Sequence, residues 1–166
     1  MDMKRLLLLV VALFVVNISC GQENIKYHAE WDAGFDITSP WGGFILPTIH
    51  TIHGVRFDDR FSVGAGVGYN VNLACKYQIM PLYANVKYIL PSKKRSRPFV
   101  SADIGYSAFL SEAGPFWLAG LYLSPAIGVK KGKFKFQIGY TSQQLRFAVD
   151  SKYFYHFGHI RFGMMF

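Results

Sequence analysis

The chain has 166 residues, a formal net charge of +8, 17% aromatic residues and only 17% charged ones, so it is long enough for one domain and too short for two. Low charge with many Tyr, Phe and Gly is foreign to soluble enzymes and usual in small membrane barrels, whose aromatics form girdles at the interfaces. The cations scatter among short turns and strand interiors instead of forming a stripe, which argues against nucleic acid as a partner.

The N-terminus reads as a targeting segment. Lys4 and Arg5 precede an unbroken apolar run from Leu6 to Val16, followed by a more polar stretch, Asn17 to Gly21. That run is shorter than the roughly 20 residues a spanning helix needs, so a cleaved secretory signal is expected over 1–21, with the domain at 22–166. A competing reading makes Cys20 a lipidated cysteine after Ile18 and Ser19, a pattern that Asn17 fits poorly. If cleavage removes Cys20, Cys75 stands alone and no intrachain disulfide can form. A closed, fully hydrogen-bonded sheet is one alternative source of stability.

From Lys26 to Ile37 the residues alternate with a period of two, the signature of a strand with two unlike faces. Ala29, Trp31, Ala33, Phe35 and Ile37 share one face; His28, Glu30, Asp32, Gly34 and Asp36 share the other. Three carboxylates on one side of an aromatic strand suit a polar lumen. Thr38 to Gly43 is a turn, broken by Pro40 and paired glycines. The second strand, Phe44 to Phe57, is the least regular, and Pro47 implies a bulge or a frayed end; Val55 and Phe57 point outward, Gly54 and Arg56 inward. Asp58-Asp59 makes a tight reversal.

The third strand, Phe61 to Val71, sets Phe61, Val63, Ala65, Val67, Tyr69 and Val71 against Ser62, Gly64, Gly66, Gly68 and Asn70. Tyr69 stands where a dinucleotide loop needs its third glycine, and the alternation runs straight through, so that reading fails. Inward glycines instead make room for bulky side chains from across a narrow lumen. After a loop around Ala74-Cys75-Lys76, the fourth strand (Gln78 to Leu90) turns Pro81, Tyr83, Asn85 and Lys87 inward. A basic turn, 91–97, leads to the fifth, with Ser101, Asp103, Gly105 and Ser107 inward and Val100, Ala102, Ile104, Tyr106, Ala108 and Leu110 outward.

Ser111 to Trp117 is expected to be the longest outer loop. The sixth strand carries Leu121, Leu123, Ile127 and Val129 outside, interrupted by Pro125. Lys130-Lys-Gly-Lys133 is a tight turn. The seventh opposes Phe134, Phe136, Ile138 and Tyr140 to Lys135, Gln137, Gly139 and Thr141. The last, Tyr153 to Phe166, places Phe154, Gly158, Ile160, Phe162, Met164 and Phe166 on one side and His159, Arg161 and Gly163 on the other. A strand this greasy is what a barrel needs to close against its first strand and face lipid. The pattern is therefore all-β: an eight-stranded antiparallel up-and-down transmembrane barrel, with Asp58-Asp59, 91–97 and 130–133 at the end that holds both termini.

Gly54-Val-Arg-Phe57, Gly64-Ala-Gly-Val-Gly-Tyr69, Pro81-Leu-Tyr-Ala-Asn-Val-Lys-Tyr88 and Arg97-Pro-Phe-Val-Ser-Ala-Asp-Ile-Gly-Tyr106 together resemble the small outer-membrane β-barrel proteins of Bacteroidetes-type Gram-negative bacteria, barrels of the OmpA/OmpX-like eight-stranded kind. The resemblance covers essentially the whole mature chain and implies a fold more than an activity. It implies an outer-membrane monomer whose partners are the lipids and lipopolysaccharide around it. It also implies that Phe162, Met164 and Phe166 are read by the barrel-assembly machinery during insertion.

Candidate chemistry gathers on the inward face: Glu30, Asp32, Asp36 and Asp103 with Arg56, Lys87, Lys135 and Arg161. In a low-dielectric interior such charges must pair, and eight strands leave room for side chains only, so a lumenal plug is expected rather than an ion path. The pairs His50/His53 and His156/His159 share a spacing, yet positions i and i+3 of a strand face opposite ways and cannot chelate together. His28, His50 and His159 can all face the lumen if the first strand lies between the second and the eighth. No metal, cofactor or catalytic residue is expected. The enzyme alternative is a lipid A or phospholipid acyl hydrolase or transferase using Asp150, Ser151 and His156 at the outer rim. A soluble lipocalin-like barrel is the third possibility. It requires an apolar cavity and a polar exterior, against which the inward Glu30, Asp32, Lys87, Asp103 and Arg161 speak. Trp31, Trp41, Trp117, Tyr27, Tyr88, Tyr106 and Tyr140 read as interfacial anchors.

Overall fold

The computed structural model describes residues 25–38, 45–57, 60–72, 77–92, 95–111, 114–148 and 151–166. The candidate signal 1–21, Trp41, the Asp58-Asp59 reversal, Cys75 and Asp150 lie outside the described residues. The elements are β1 (Ile25–Thr38), β2 (Ile45–Phe57), β3 (Phe61–Asn72), β4 (Tyr77–Ile89), β5 (Ser96–Ser111), β6 (Gly114–Lys131), β7 (Phe134–Ala148) and β8 (Ser151–Met165). Each strand pairs antiparallel with the next, and β8 pairs with β1 to close the barrel. Closure leaves no edge, the condition for taking a sheet out of water. Phe166 completes the seam: its N–H donates to the Ala29 carbonyl at 2.8 Å, and the Ala29 N–H donates back at 3.3 Å.

The wall is strongly staggered. Stepping from partner to partner, Lys26 leads through Arg56, Ser62, Lys87, Ser101, Ala126, Gly139 and His159 back to β1 at Asp36, ten residues further on. That shear tilts the strands and keeps the interior just wide enough for side chains.

The alternation predicted from the sequence is the alternation of exposure. Trp31, Phe35, Leu82, Ile104, Tyr106 and Phe162 are each more than half exposed, while Glu30, Lys87, Asp103, Lys135 and Arg161 are buried. Apolar groups outside and charges inside reverse the arrangement of a water-soluble domain.

Four local expectations need correcting or narrowing. Of the outer loop expected over Ser111 to Trp117, Ser111 belongs to β5 and 114–117 to β6, with Phe109 opposite Trp117. Register shifts at Ser107/Ala108 and Phe109/Ser111 absorb the irregularity and keep the ladder going. Pro125 does not interrupt β6: it lies opposite Ala102, and the β6–β7 register is the same on both sides of it. Of the two outcomes expected at Pro47 the bulge is absent, since its pairing with Phe35 is in register, and the end is frayed toward β3, whose ladder with β2 begins one residue later, at Thr48. A missing N–H costs little where no partner strand waits for it. Finally, Ala29 and Ala108, placed on the outward face, are each 8% exposed; Ala108 sits at a register shift and Ala29 at the β1–β8 seam.

Candidate functional site

The lumen is built on pairs of unequal size. Tyr83 lies opposite Gly66, His50 opposite Gly68, His159 opposite Gly139, Phe99 opposite Gly128 and Asp32 opposite Gly163. A Cβ on any of these glycines would collide with the partner's side chain. The glycines thus make room for the residue directly across the ladder, not for one across the lumen as expected. Each large inward group leans along the wall into the gap beside it, and that lean decides what it can reach.

Toward the end carrying Ile25 and Phe166, the buried Glu30 carboxylate is shared. Its Oε2 accepts from the ammonium groups of both Lys87 and Lys135, and its Oε1 from His28 Nε2 at 2.5 Å. Lys135 also meets Asp32 at 2.7 Å. With the His28 proton on Nε2, its Nδ1 accepts from Arg56 Nη2 at 2.5 Å, so Arg56 joins through the imidazole. Phe99 lies beneath Lys87, 5.2 Å from ammonium to ring centroid. We call this the proximal tier.

Further along the axis the charge pattern inverts. Arg161, opposite Gly34, is buried and reaches Asp36 at 3.4 Å and Asp103 at 4.0 Å, and it donates to the Tyr122 hydroxyl at 3.4 Å. The two carboxylates have amide donors of their own: Asn70 Nδ2 lies 3.2 Å from Asp36 and Asn85 Nδ2 lies 2.5 Å from Asp103. Tyr122 stacks on Tyr83 with centroids 5.5 Å apart, and His50 Nδ1 bonds the Tyr83 hydroxyl at 3.0 Å. This is the distal tier.

All eight charged residues expected on the inward face are found there. Seven are buried, Arg56 is half-buried, and each has a charged or imidazole partner. The sequence did not single out Tyr122, Asn70 or Asn85 as partners. Their parity, opposite to the outward Leu121 and Leu123 in the case of β6, was the available signal.

The histidines divide by face. His50 and His159 are buried while His53 and His156 are exposed. His28, His50 and His159 have different neighbours: His28 sits in the proximal tier, His50 leans over Gly68 on β3 and His159 leans over Gly139 on β7. No group of three metal-ligating side chains occurs among the described residues. On the outside, His53 accepts from the Tyr27 hydroxyl at 2.6 Å and bonds Thr51 at 3.0 Å, and His156 accepts from Tyr140 at 2.5 Å with the rings stacked. Ser151 and His156 both lie in β8, five residues apart.

No family model and no curated protein matches the sequence. Among solved structures, the crystal structure of Neisserial surface protein A superposes with a TM-score of 0.68 at 14% identity, over 86% of this chain and 98% of that one. The N-terminal β-barrel domain of Pseudomonas aeruginosa OprF gives 0.49 at 14% identity, over 84% and 97%. The attachment invasion locus protein Ail of Yersinia pestis gives 0.41 at 9%, over 86% and 98%. The likeness to the Neisserial protein bears on the fold, which this chain shares: a small, closed, eight-stranded antiparallel barrel with nothing but strands around its wall.

Proposed function

We propose that the chain is an integral outer-membrane barrel with a structural or surface-interaction role, its lumen closed by the two ionic tiers. The observation that carries this reading is the reversed polarity of the wall. An exterior of Trp31, Phe35, Ile49, Leu82, Ile104, Ile127 and Phe162 is stable only against hydrocarbon, and a ring of strands satisfies its backbone there. The buried charges lie within reach of opposite partners, which leaves the lumen filled rather than open to flow. Export by a cleaved signal at 1–21, insertion through recognition of Phe162, Met164 and Phe166, and existence as a monomer among lipids and lipopolysaccharide belong to the same reading. So does assignment to the Bacteroidetes-type group, which rests on the strand motifs. The test is twofold: carbonate washing of membranes, and electrophoresis of unboiled against boiled protein. Retention in the pellet with a heat-dependent change in mobility supports the reading. Release by carbonate refutes it.

A further inference from the structure

The end of the barrel that carries Ile25 and Phe166 is lined with cations. Lys26, Arg60, Arg95, Arg97, Lys130, Lys131 and Lys133 all lie there, and segments 91–97 and 129–135 contain no acidic residue; Asp58 and Asp59, expected at the same end, lie outside the described residues. Across the ladder, Arg97 lies directly opposite Lys130, and Lys130 opposite Lys135. Lys135 has Glu30 and Asp32. Among the described residues no carboxylate pairs with Arg60, Arg95 or Arg97.

Two cavities open at this place. One, of about 370 Å³, is lined by Arg95, Arg97, Lys130 and Gly132. The other, of about 210 Å³, shares Arg97 and adds Arg60 to the apolar Ile89, Leu90 and Pro91. On the outer wall at the same level, Pro98 pairs with Val129, and Leu90, Val129 and Phe134 are exposed. Cationic cavities beside an apolar wall match an amphiphile with an anionic head.

We propose that this rim binds an anionic phospholipid, its phosphate held by Arg95 and Arg97 and its chains lying along Leu90, Val129 and Phe134. Two guanidinium forks suit a phosphodiester, which each can bond through two parallel N–H groups. The proposal rests on the membrane reading above and adds a lipid preference to it. The experiment uses the full mature barrel extracted in detergent and examined by native mass spectrometry after addition of phosphatidylglycerol, phosphatidylethanolamine or inorganic phosphate. Phosphatidylglycerol is expected to stay bound in preference to phosphatidylethanolamine, and the double variant Arg95→Gln/Arg97→Gln to hold it about tenfold more weakly. Lys26→Gln, elsewhere on the rim, is expected to bind as the unsubstituted protein does. Equal retention of the two lipids, or unchanged binding by the double variant, overturns the proposal. Displacement of the lipid by equimolar inorganic phosphate also overturns it, since free phosphate would then be the ligand. Heat-dependent mobility is recorded on every sample. If it is absent from the unsubstituted protein the membrane reading itself falls, whereas its presence beside unselective binding removes the lipid site alone.

Discussion

The two tiers of the lumen solve one electrostatic problem in opposite ways. In the proximal tier one carboxylate, Glu30, lies among two ammonium groups and an imidazole. In the distal tier one guanidinium, Arg161, lies between two carboxylates, and Tyr122, Asn70 and Asn85 supply neutral hydrogen bonds. A buried charge is stable only when paired and hydrogen-bonded, so what matters is how much remains for each group when a neighbour is lost. Removing Glu30 takes from Lys87 the carboxylate it bonds and leaves it the Phe99 ring. Removing Arg161 leaves Asp36 and Asp103 each with an amide donor. The proximal tier is therefore concentrated on a single side chain, and the distal tier is distributed.

The largest expected effect follows from that concentration. Glu30→Ala should lower the stability of the folded barrel by about 3–5 kcal/mol, the usual cost of leaving buried charge uncompensated. Arg161→Met keeps most of the volume and should cost less, about 1–3 kcal/mol, because amide donors remain on both carboxylates. The urea midpoints for loss of the fast- or slow-migrating folded band compare the two directly. An Arg161 variant weaker than the Glu30 variant would reverse the ranking and sink the distinction between the tiers.

A second substitution sharpens the same contrast. In Glu30→Gln the charge is gone while Lys87 stays buried; adding Lys87→Met removes the ammonium and leaves Lys135 with Asp32 at 2.7 Å. The double variant should recover at least about 1 kcal/mol relative to Glu30→Gln, a coupling of the size seen for groups in one ion-pair cluster. Simple additivity of the two losses in the same urea titration would show that Glu30 and Lys87 do not depend on each other.

How much of this was legible in the sequence differs between wall and lumen. The strands could be read because an apolar exterior on one side and packed charge on the other impose a period of two, and the period survives even at Pro47 and Pro125. The inward face of Glu30, Asp32, Lys87 and Arg161 was legible for the same reason. Which inward group meets which was not. Glu30 meets Lys87 57 residues away and Lys135 105 residues away, and those contacts depend on a stagger accumulated over the whole wall. One extra or missing residue in any turn would shift it. The β5–β6 connection was misread because Gly114 and Pro115 carry a turn signal that the pairing of Phe109 with Trp117 overrides. The pairing of glycine with a bulky partner also needed the register, so Gly66 and Tyr83 each looked ordinary on its own strand.

That last pairing yields a test of the construction of the lumen rather than of its charge. Tyr83 is the link between the tiers and their surroundings: its ring stacks on Tyr122, its hydroxyl bonds His50, and its side chain lies over Gly66 on one side and against Gly105 on the other. A methyl group at position 66 would meet the ring carbons and hydroxyl of Tyr83 at 2.5 to 2.9 Å, well inside van der Waals contact. Gly66→Ala should therefore cost about 1–3 kcal/mol through forced movement of the ring, as overpacking does elsewhere. Alanine favours extended backbone over glycine, so a penalty at this site cannot come from loss of strand propensity. In a Tyr83→Ala background the same change should be neutral or slightly stabilising, because the obstructing ring is gone and only the backbone preference remains. If Gly66→Ala is equally harmful with and without the ring, the glycine answers to something other than Tyr83, and the pairing of small with large across each ladder is not what fills this barrel.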